Sequence, residues 1–204
     1  MYLSQLVVNP RSRVARSDLA DRYELHRTLM SAFPAELPAN ERILYRVEDN
    51  RNVPVVSVLV QSHYLPDWES VERMQRGGYL VDLPRIRVIV HEVTAGQRLP
   101  FRLQANPTVK RDGKRHAIYA DFELLTWLSR QGDRHGFTCT PLDVQVVKLG
   151  KKHGQKRRQT WHAVQFDGAL TVTETAAFEE GLASGIGSAK AFGFGLLSIP
   201  YRSA

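Results

Sequence analysis

Read for apolar periodicity, the chain repeats one order of elements twice. The runs "YLSQLVV" (2–8), "RILYRVE" (42–48), "VPVVSVLVQS" (53–62) and "RIRVIVHEV" (85–93) are short, β-branched and apolar, as strands are. A helix is expected between the first two. Ser17 is placed to cap it, Asp18 and Asp21 lie in its first turn, and Pro34 stops it after Phe33. A shorter helix over "SVERMQ" separates the third strand from the fourth, and "DNRN" turns the second into the third. The segment "TAGQRLP" (94–100) carries little core material and marks a boundary. The order then recurs: "FRLQAN" (101–106) as a strand ended by Pro107, "DFELLTWLSRQ" (121–131) as a helix stopped at Gly132, and "DVQVVKL" (143–149) with "TWHAVQFDGALTVT" (160–173) as a strand pair. A helix over "TETAAFEEGLAS" (173–184), capped by Thr173 or Thr175, and a strand over "GLLSIP" complete it. Each half reads β-α-β-β-α-β. The expected fold class is therefore α+β, two tandem ferredoxin-like (βαββαβ) domains: residues 1–93, a linker 94–100, and residues 101–204. Only the order recurs, not the residues, and this fold hosts many functions.

Charge narrows the choice. Lys and Arg number 28 against 21 Asp and Glu, a net charge of +7 and a pI near 9.7, which favours a polyanionic partner. No apolar run reaches membrane-span length, and the apolar part of "MYLSQLVVNPRSR" is too short for a signal peptide. The single cysteine, Cys139, allows no internal disulfide and no cysteine-based zinc site, and it reads as a buried strand residue. The cytoplasm is the expected compartment, with no membrane partner.

The excess is clustered. "KLGKKHGQKRRQTW" (148–161) holds Lys148, Lys151, Lys152, Lys156, Arg157 and Arg158 with no acid, where the second strand pair should turn. Such a finger can enter a nucleic-acid groove and contact phosphates; the plainer reading is a solvated tip that keeps a sheet edge soluble. "NPTVKRDGKRH" (106–116) adds Lys110, Arg111, Lys114 and Arg115, and the loop "RSRVAR" adds Arg11, Arg13 and Arg16. Three separated basic loops suit an extended anion. Aromatics are not interleaved with them, which argues against a single-strand stacking platform and for folded or duplex nucleic acid.

The reactive candidates are Tyr23 and His26 in "RYELHRTL" (22–29). Three residues apart, they share a helix face and flank the core stripe of Leu25, Leu29, Ala32 and Phe33. Histidine titrates near neutrality and suits proton transfer, although on many helices such a pair only finds hydrogen-bond partners at a core edge. Near the end, "GIGSAKAFGFGLLSIP" (185–200) with Gly181 holds five of the fourteen glycines. They either turn the chain at positive φ or let a ligand approach the backbone. The segment is neither a Walker loop nor a Rossmann fingerprint, and the other histidines lack metal-ligand spacing, so no metal or other cofactor is expected.

Together, "MYLSQLVVNP", "RYELHRTL", "FRLQANPT" with "GKR" behind it, and "GIGSAKAFGFGLLSI" resemble the CasE family of CRISPR systems, in order and over the whole chain. Members are repeat-specific endoribonucleases of the repeat-associated (RAMP) superfamily, built from two ferredoxin-like domains. The resemblance implies that His26 is the principal catalytic residue and Tyr23 its partner. It also implies that the loop Gly185–Gly195 packs against RNA near the scissile phosphate and that the basic hairpin grips the repeat's stem. Arg27, Gly185, Gly187, Ser188, Lys190, Gly193 and Gly195 join the basic residues above as RNA-binding candidates. The implied substrate is CRISPR precursor RNA, cut at the 3′ base of the repeat hairpin without metal, with the protein staying on the mature crRNA beside other Cascade subunits. Where some relatives carry a lysine soon after the histidine, this chain has Ser31, leaving Arg27 or Lys190 to supply charge. The alternative is a non-catalytic RNA-binding RAMP subunit, which would not need Tyr23 or His26. A DNA-binding regulator is disfavoured, since nothing resembles a helix-turn-helix pair.

Overall fold

The computed structural model describes residues 1–38, 41–49, 56–75, 78–154 and 158–203. It contains two ferredoxin-like units, each an antiparallel sheet with helices on one face. The first runs β1 (Tyr2–Val8), α1 (Arg13–Ala20), α2 (Arg22–Met30), β2 (Leu44–Asp49), β3 (Val56–Ser62), α3 (Trp68–Met74) and β4 (Ile86–Val90), with strand order β4-β1-β3-β2. The second runs β5 (Arg98–Ala105), a hairpin of β6 (Thr108–Arg111) and β7 (Lys114–Ala117), α4 (Asp121–Arg134), β8 (Phe137–Thr138), β9 (Val144–Gly154), β10 (Gln159–Val172), α5 (Thr175–Ser184) and β11 (Leu197–Ser198). Its sheet is ordered β11-β5-β10-β8, with β9 also on β10. A last strand, β12 (Arg202–Ser203), returns to the first sheet and pairs with β4, so the chain's end does not stay with the second unit. No helix among the described residues is long and apolar enough to cross a membrane.

Several local expectations are corrected. The first helix is two helices. Ser12, not Ser17, caps α1, its hydroxyl accepting from the N–H of Ala15. Asp21 is extended (φ −130°) and its carboxylate accepts from the N–H of Tyr23, capping α2. Glu174, rather than Thr173 or Thr175, caps α5, accepting from Ala176 and Ala177. Helix α4 runs through Gly132 to Arg134; a Cβ there would lie 2.3 Å from the carbonyl oxygen of Phe137, so glycine serves packing rather than termination. Strand β5 opens at Arg98, inside the expected linker. Strand β9 continues to Gly154, past the expected turn, with a register shift opposite Ala163/Val164. Cys139 follows β8 half-buried against the second core, where burial pushes its thiol up to about 12.

Each sheet has its own core. Leu6, Val58, Val60, Leu25, Leu29 and Trp68 belong to the first; Leu103, Phe166, Leu124, Phe178 and Leu182 to the second. The joint between the units is polar and close. The buried Tyr45 hydroxyl of β2 donates toward Ala191 O (3.2 Å) and Arg22 O (3.4 Å), and Arg46 Nη1 donates to Ser198 Oγ at 2.8 Å. Gln61 Nε2 donates to Leu182 O at 2.8 Å. The glycines make this approach feasible. Gly185 and Gly193 have φ of 78° and 83°, and a Cβ on them would sit 2.7 Å from Leu44 Cδ2 and 2.8 Å from Tyr45 Cε2.

A second buried polar cluster fixes α1 against α2. Asp18 accepts from Thr28 Oγ1 at 2.7 Å and from the Tyr79 hydroxyl at 3.0 Å. Burial raises its carboxyl above the usual value despite those donors.

Two outcomes follow for stability. Gly193→Ala should cost about 2 kcal/mol in denaturant unfolding, since it meets both the left-handed backbone and the Tyr45 ring. Because folded Asp18 holds its proton more tightly than the unfolded chain, its contribution is full below the unfolded pKa and fades as pH rises through the folded one. Asp18→Asn should therefore flatten that part of a plot of Tm against pH.

Candidate active site and RNA-binding surface

Helix α2 buries Leu25, Thr28 and Leu29, and this leaves Tyr23 and His26 half-buried on its flank. Among the described residues no hydrogen bond claims the Tyr23 hydroxyl or either His26 ring nitrogen. Burial lowers the His26 pKa, favouring the neutral imidazole. The His26 ring stands 6.2 Å from that of Phe192, which stacks on Trp161 of β10 at 4.3 Å and 25°. Phe192 closes the 3-10 turn Lys190–Phe192 of the glycine-rich loop. On the other side Gly154, at the end of β9, comes so near the start of α2 that a Cβ there would lie 3.4 Å from the Tyr23 nitrogen and 2.8 Å from the Trp161 ring. The second unit thus reaches the reactive helix with both its glycine loop and its basic hairpin. Sequence reading missed Phe192 and Trp161; neither lies near α2 in the chain.

Arg27 ion-pairs with Glu24 at 2.9 Å on the exposed side of α2. The Ser31 hydroxyl donates to Thr28 O at 2.7 Å, closing the helix end. Lys190 is half-buried; desolvation lowers its pKa, and its charged neighbours are Arg42, Glu180 and His135. That neighbourhood faces α4.

The basic candidates occupy three places. Arg13 and Arg16 belong to α1 rather than to a loop, and Arg16 Nη1 folds back onto Pro10 O and Arg11 O at 3.0 and 2.9 Å. Lys151 and Lys152 lie on a paired strand rather than a loose tip. Lys152 joins Arg22, Arg102 and Lys148 in a cleft of about 700 Å³ between the sheets, while Lys148 also pairs with Asp121 at 2.7 Å. Arg158 is exposed at the turn; Lys156 and Arg157 lie outside the described residues. Lys110, Arg111, Lys114 and Arg115 form the β6–β7 hairpin, turned by Asp112 (φ 50°) and Gly113 (φ 75°). "DG" between β-capable residues is the usual signature of such a turn and was available in the sequence.

The loop glycines are explained by the protein itself. Gly185, Gly187, Gly193 and Gly195 all have positive φ, and a Cβ on Gly187 or Gly195 would crowd Trp127 or Ile186 O. Ser188 Oγ donates to Asn106 O at 3.2 Å, tying the loop to the end of β5. One aromatic does meet the basic strand pair. Exposed Tyr119 packs against buried His162, 4.4 Å between ring centroids, and His162 is the register partner of Lys151. Among the described residues no three His, Cys, Asp or Glu side chains gather as a metal site would require.

Comparison with known proteins places this geometry. A family model described as CRISPR associated protein matches residues 1–200. The chain is 37% identical to the CRISPR-associated endoribonuclease Cse3 of Thermus thermophilus, covering 98% of this chain and 99% of that one. It is 27% identical to the Cascade subunit CasE of Escherichia coli K12, covering 98% of each. Thermus thermophilus Cse3, solved bound to an RNA representing a pre-cleavage complex, superposes with a TM-score of 0.86 at 36% identity over 98% of both chains. Cas6e from Escherichia coli K-12 gives 0.71 at 26% identity over 98% of both. With its two ferredoxin-like units and full-length likeness, the chain belongs to the CRISPR-associated protein family that includes Cse3 and CasE.

Proposed function

We propose that the protein is the CRISPR repeat endoribonuclease of a type I-E system, acting in the cytoplasm and remaining on the mature crRNA as a Cascade subunit. One observation carries this reading. Tyr23 and His26 stand side by side with their polar ends unclaimed among the described residues, where the basic strand pair and the glycine loop converge on α2. Likeness to Cse3, solved with RNA, points the same way.

The chemistry needs only what RNA and these side chains supply. The 2′-oxygen attacks the adjacent phosphorus, its proton passing to a base. The P–O5′ bond breaks, and the leaving 5′-oxygen takes a proton from an acid. The products are a 2′,3′-cyclic phosphate and a 5′-hydroxyl. His26, held neutral by burial, is ready to accept the first proton, and a phenol at Tyr23 is able to donate the second. Stem phosphates would meet Lys151 and Lys152 on β9 and Arg158 at the turn before β10, and Lys156 and Arg157 precede Arg158 in the sequence. Arg11 and Arg13 extend the basic surface from α1.

His26→Ala should lower the single-turnover cleavage rate of a hairpin repeat RNA by about 10²–10⁴-fold, and Tyr23→Phe by about 10²-fold, with little change in RNA affinity. Tight binding without cleavage by the unaltered protein would assign it instead as a non-catalytic RNA-binding subunit. A plot of kcat/KM against pH should rise through an ionisation below 6.5 that His26→Ala abolishes. A limb that falls there would reverse the roles of His26 and Tyr23.

A further inference from the structure

A second basic surface lies against the glycine loop, away from the residues that meet His26. The β6–β7 hairpin, the last turns of α4 and the loop enclose a cleft of about 720 Å³. Lys110, Arg115, Arg130, Arg134, His135 and Lys190 line it, and no acidic residue does. Arg130 and Arg134 are four apart on α4, so they share one helix face.

The arrangement is one that folding alone would disfavour. Lys110 and Arg115 are direct partners across the hairpin, and like charges placed so repel. On the alternate face of the same hairpin, Arg111 is paired to Glu123 at 3.4 Å and faces Lys114 across the strands. On the cleft face no salt bridge among the described residues reaches Lys110, Arg115, Arg130, Arg134 or Lys190. The carboxylate felt there is that of Glu180, by Lys190 and His135. Ala189, a non-glycine residue at φ 62°, lines the same wall, and strained backbone of this kind collects at ligand sites.

The contents follow from size and chemistry. A cleft of this volume holds a run of phosphates and does not enclose a duplex. Trp127 lines it but is buried and stacked on Phe166, so it offers no open ring for a base. What remains is recognition of consecutive phosphates, with Thr108, Gln131 and Ser188 as polar neighbours. The route to the reactive helix is short, because Phe192 beside His26 and Lys190 in the cleft are two residues apart on one turn.

We propose that this cleft binds the single-stranded phosphodiester backbone of the RNA continuing beyond the base of the repeat hairpin. The proposal rests on the endoribonuclease reading. It assigns Arg130 and Arg134, neither of which stands out in the sequence, as its principal phosphate contacts. The strand could be the 5′ or the 3′ flank of the stem, and the same chemistry serves either.

The test compares three RNAs: the stem-loop alone, the stem-loop with a 3′ flank, and the stem-loop with a 5′ flank. Each is titrated at several salt concentrations against a His26→Ala protein, which keeps the RNA intact, and against the same protein carrying Arg130→Gln and Arg134→Gln. The double substitution should weaken binding of one or both flanked RNAs about tenfold and reduce the salt slope by about 1.4, two single-strand phosphate contacts. Binding of the stem-loop alone should not change. The flank that responds is the strand in the cleft. Equal loss on all three RNAs would overturn the proposal by making the cleft part of the stem site. No loss on any of them would show that the cleft stays empty. Failure of every RNA to bind the His26→Ala protein would instead sink the endoribonuclease reading itself. Both arginines are exposed, so an unchanged Tm separates these outcomes from misfolding.

Discussion

The joint between β2 and the glycine-rich loop is the constraint on which the rest depends. Tyr45 and Arg46 are adjacent residues of a strand in the first unit, and each donates to a group of the second: Tyr45 to Ala191 O, and Arg46 to Leu196 O and Ser198 Oγ while also pairing with Glu48. Such groups are costly to bury unpaired, so the joint tolerates little sliding. Its closeness requires glycine twice, where Leu44 and Tyr45 fill the space a Cβ would take. The glycines that a sequence reader would give to RNA are therefore needed first by the protein. Any contact they make with RNA is added to that duty.

The break at Asp21 is the second determinant. One continuous helix from Ser17 to Phe33 would have carried Tyr23 and His26 along a single axis. The extended residue at 21 restarts the helix, caps it, and sets α2 free to take its own direction against the second unit. Asp18 holds the two helices together from inside through Thr28 and Tyr79. The side chains that would do chemistry thus stand on a short helix that is capped, packed, and pressed from two sides by the other unit.

Much of this was legible in the sequence. Strand β1, the core stripe Leu25, Leu29, Ala32 and Phe33, and the β-α-β-β-α-β frame of both halves follow from local periodicity, whereas the break between α1 and α2 and the short strands β6, β7, β8 and β12 do not. Helical spacing singled out Tyr23 and His26, and the resemblance gave them their expected roles. What stayed hidden depends on distant partners. Ser17 resembles Ser12 as a cap, and only tertiary packing decides where a helix starts. Gly132 looks like a stop because its reason, the carbonyl of Phe137, lies outside the helix. Arg130 and Arg134 look like solvated arginines on an amphipathic helix until the β6–β7 hairpin folds over them. The paired strand carrying Lys151 and Lys152 reads as a loop because alternating lysines and glycines carry no apolar signal.

The stack of Trp161 on Phe192, with His26 beyond, has an optical consequence. The chain's three tryptophans fall in separate regions: Trp68 in the first core, Trp127 at the wall of the basic cleft, and Trp161 at the joint. An indole's emission follows the rings and polarity around it, so each acts as a reporter of its own region. Variants retaining one tryptophan would emit separately from the cleft and from the ring stack beside His26. The order in which RNA reaches the two places could then be timed without attaching a dye.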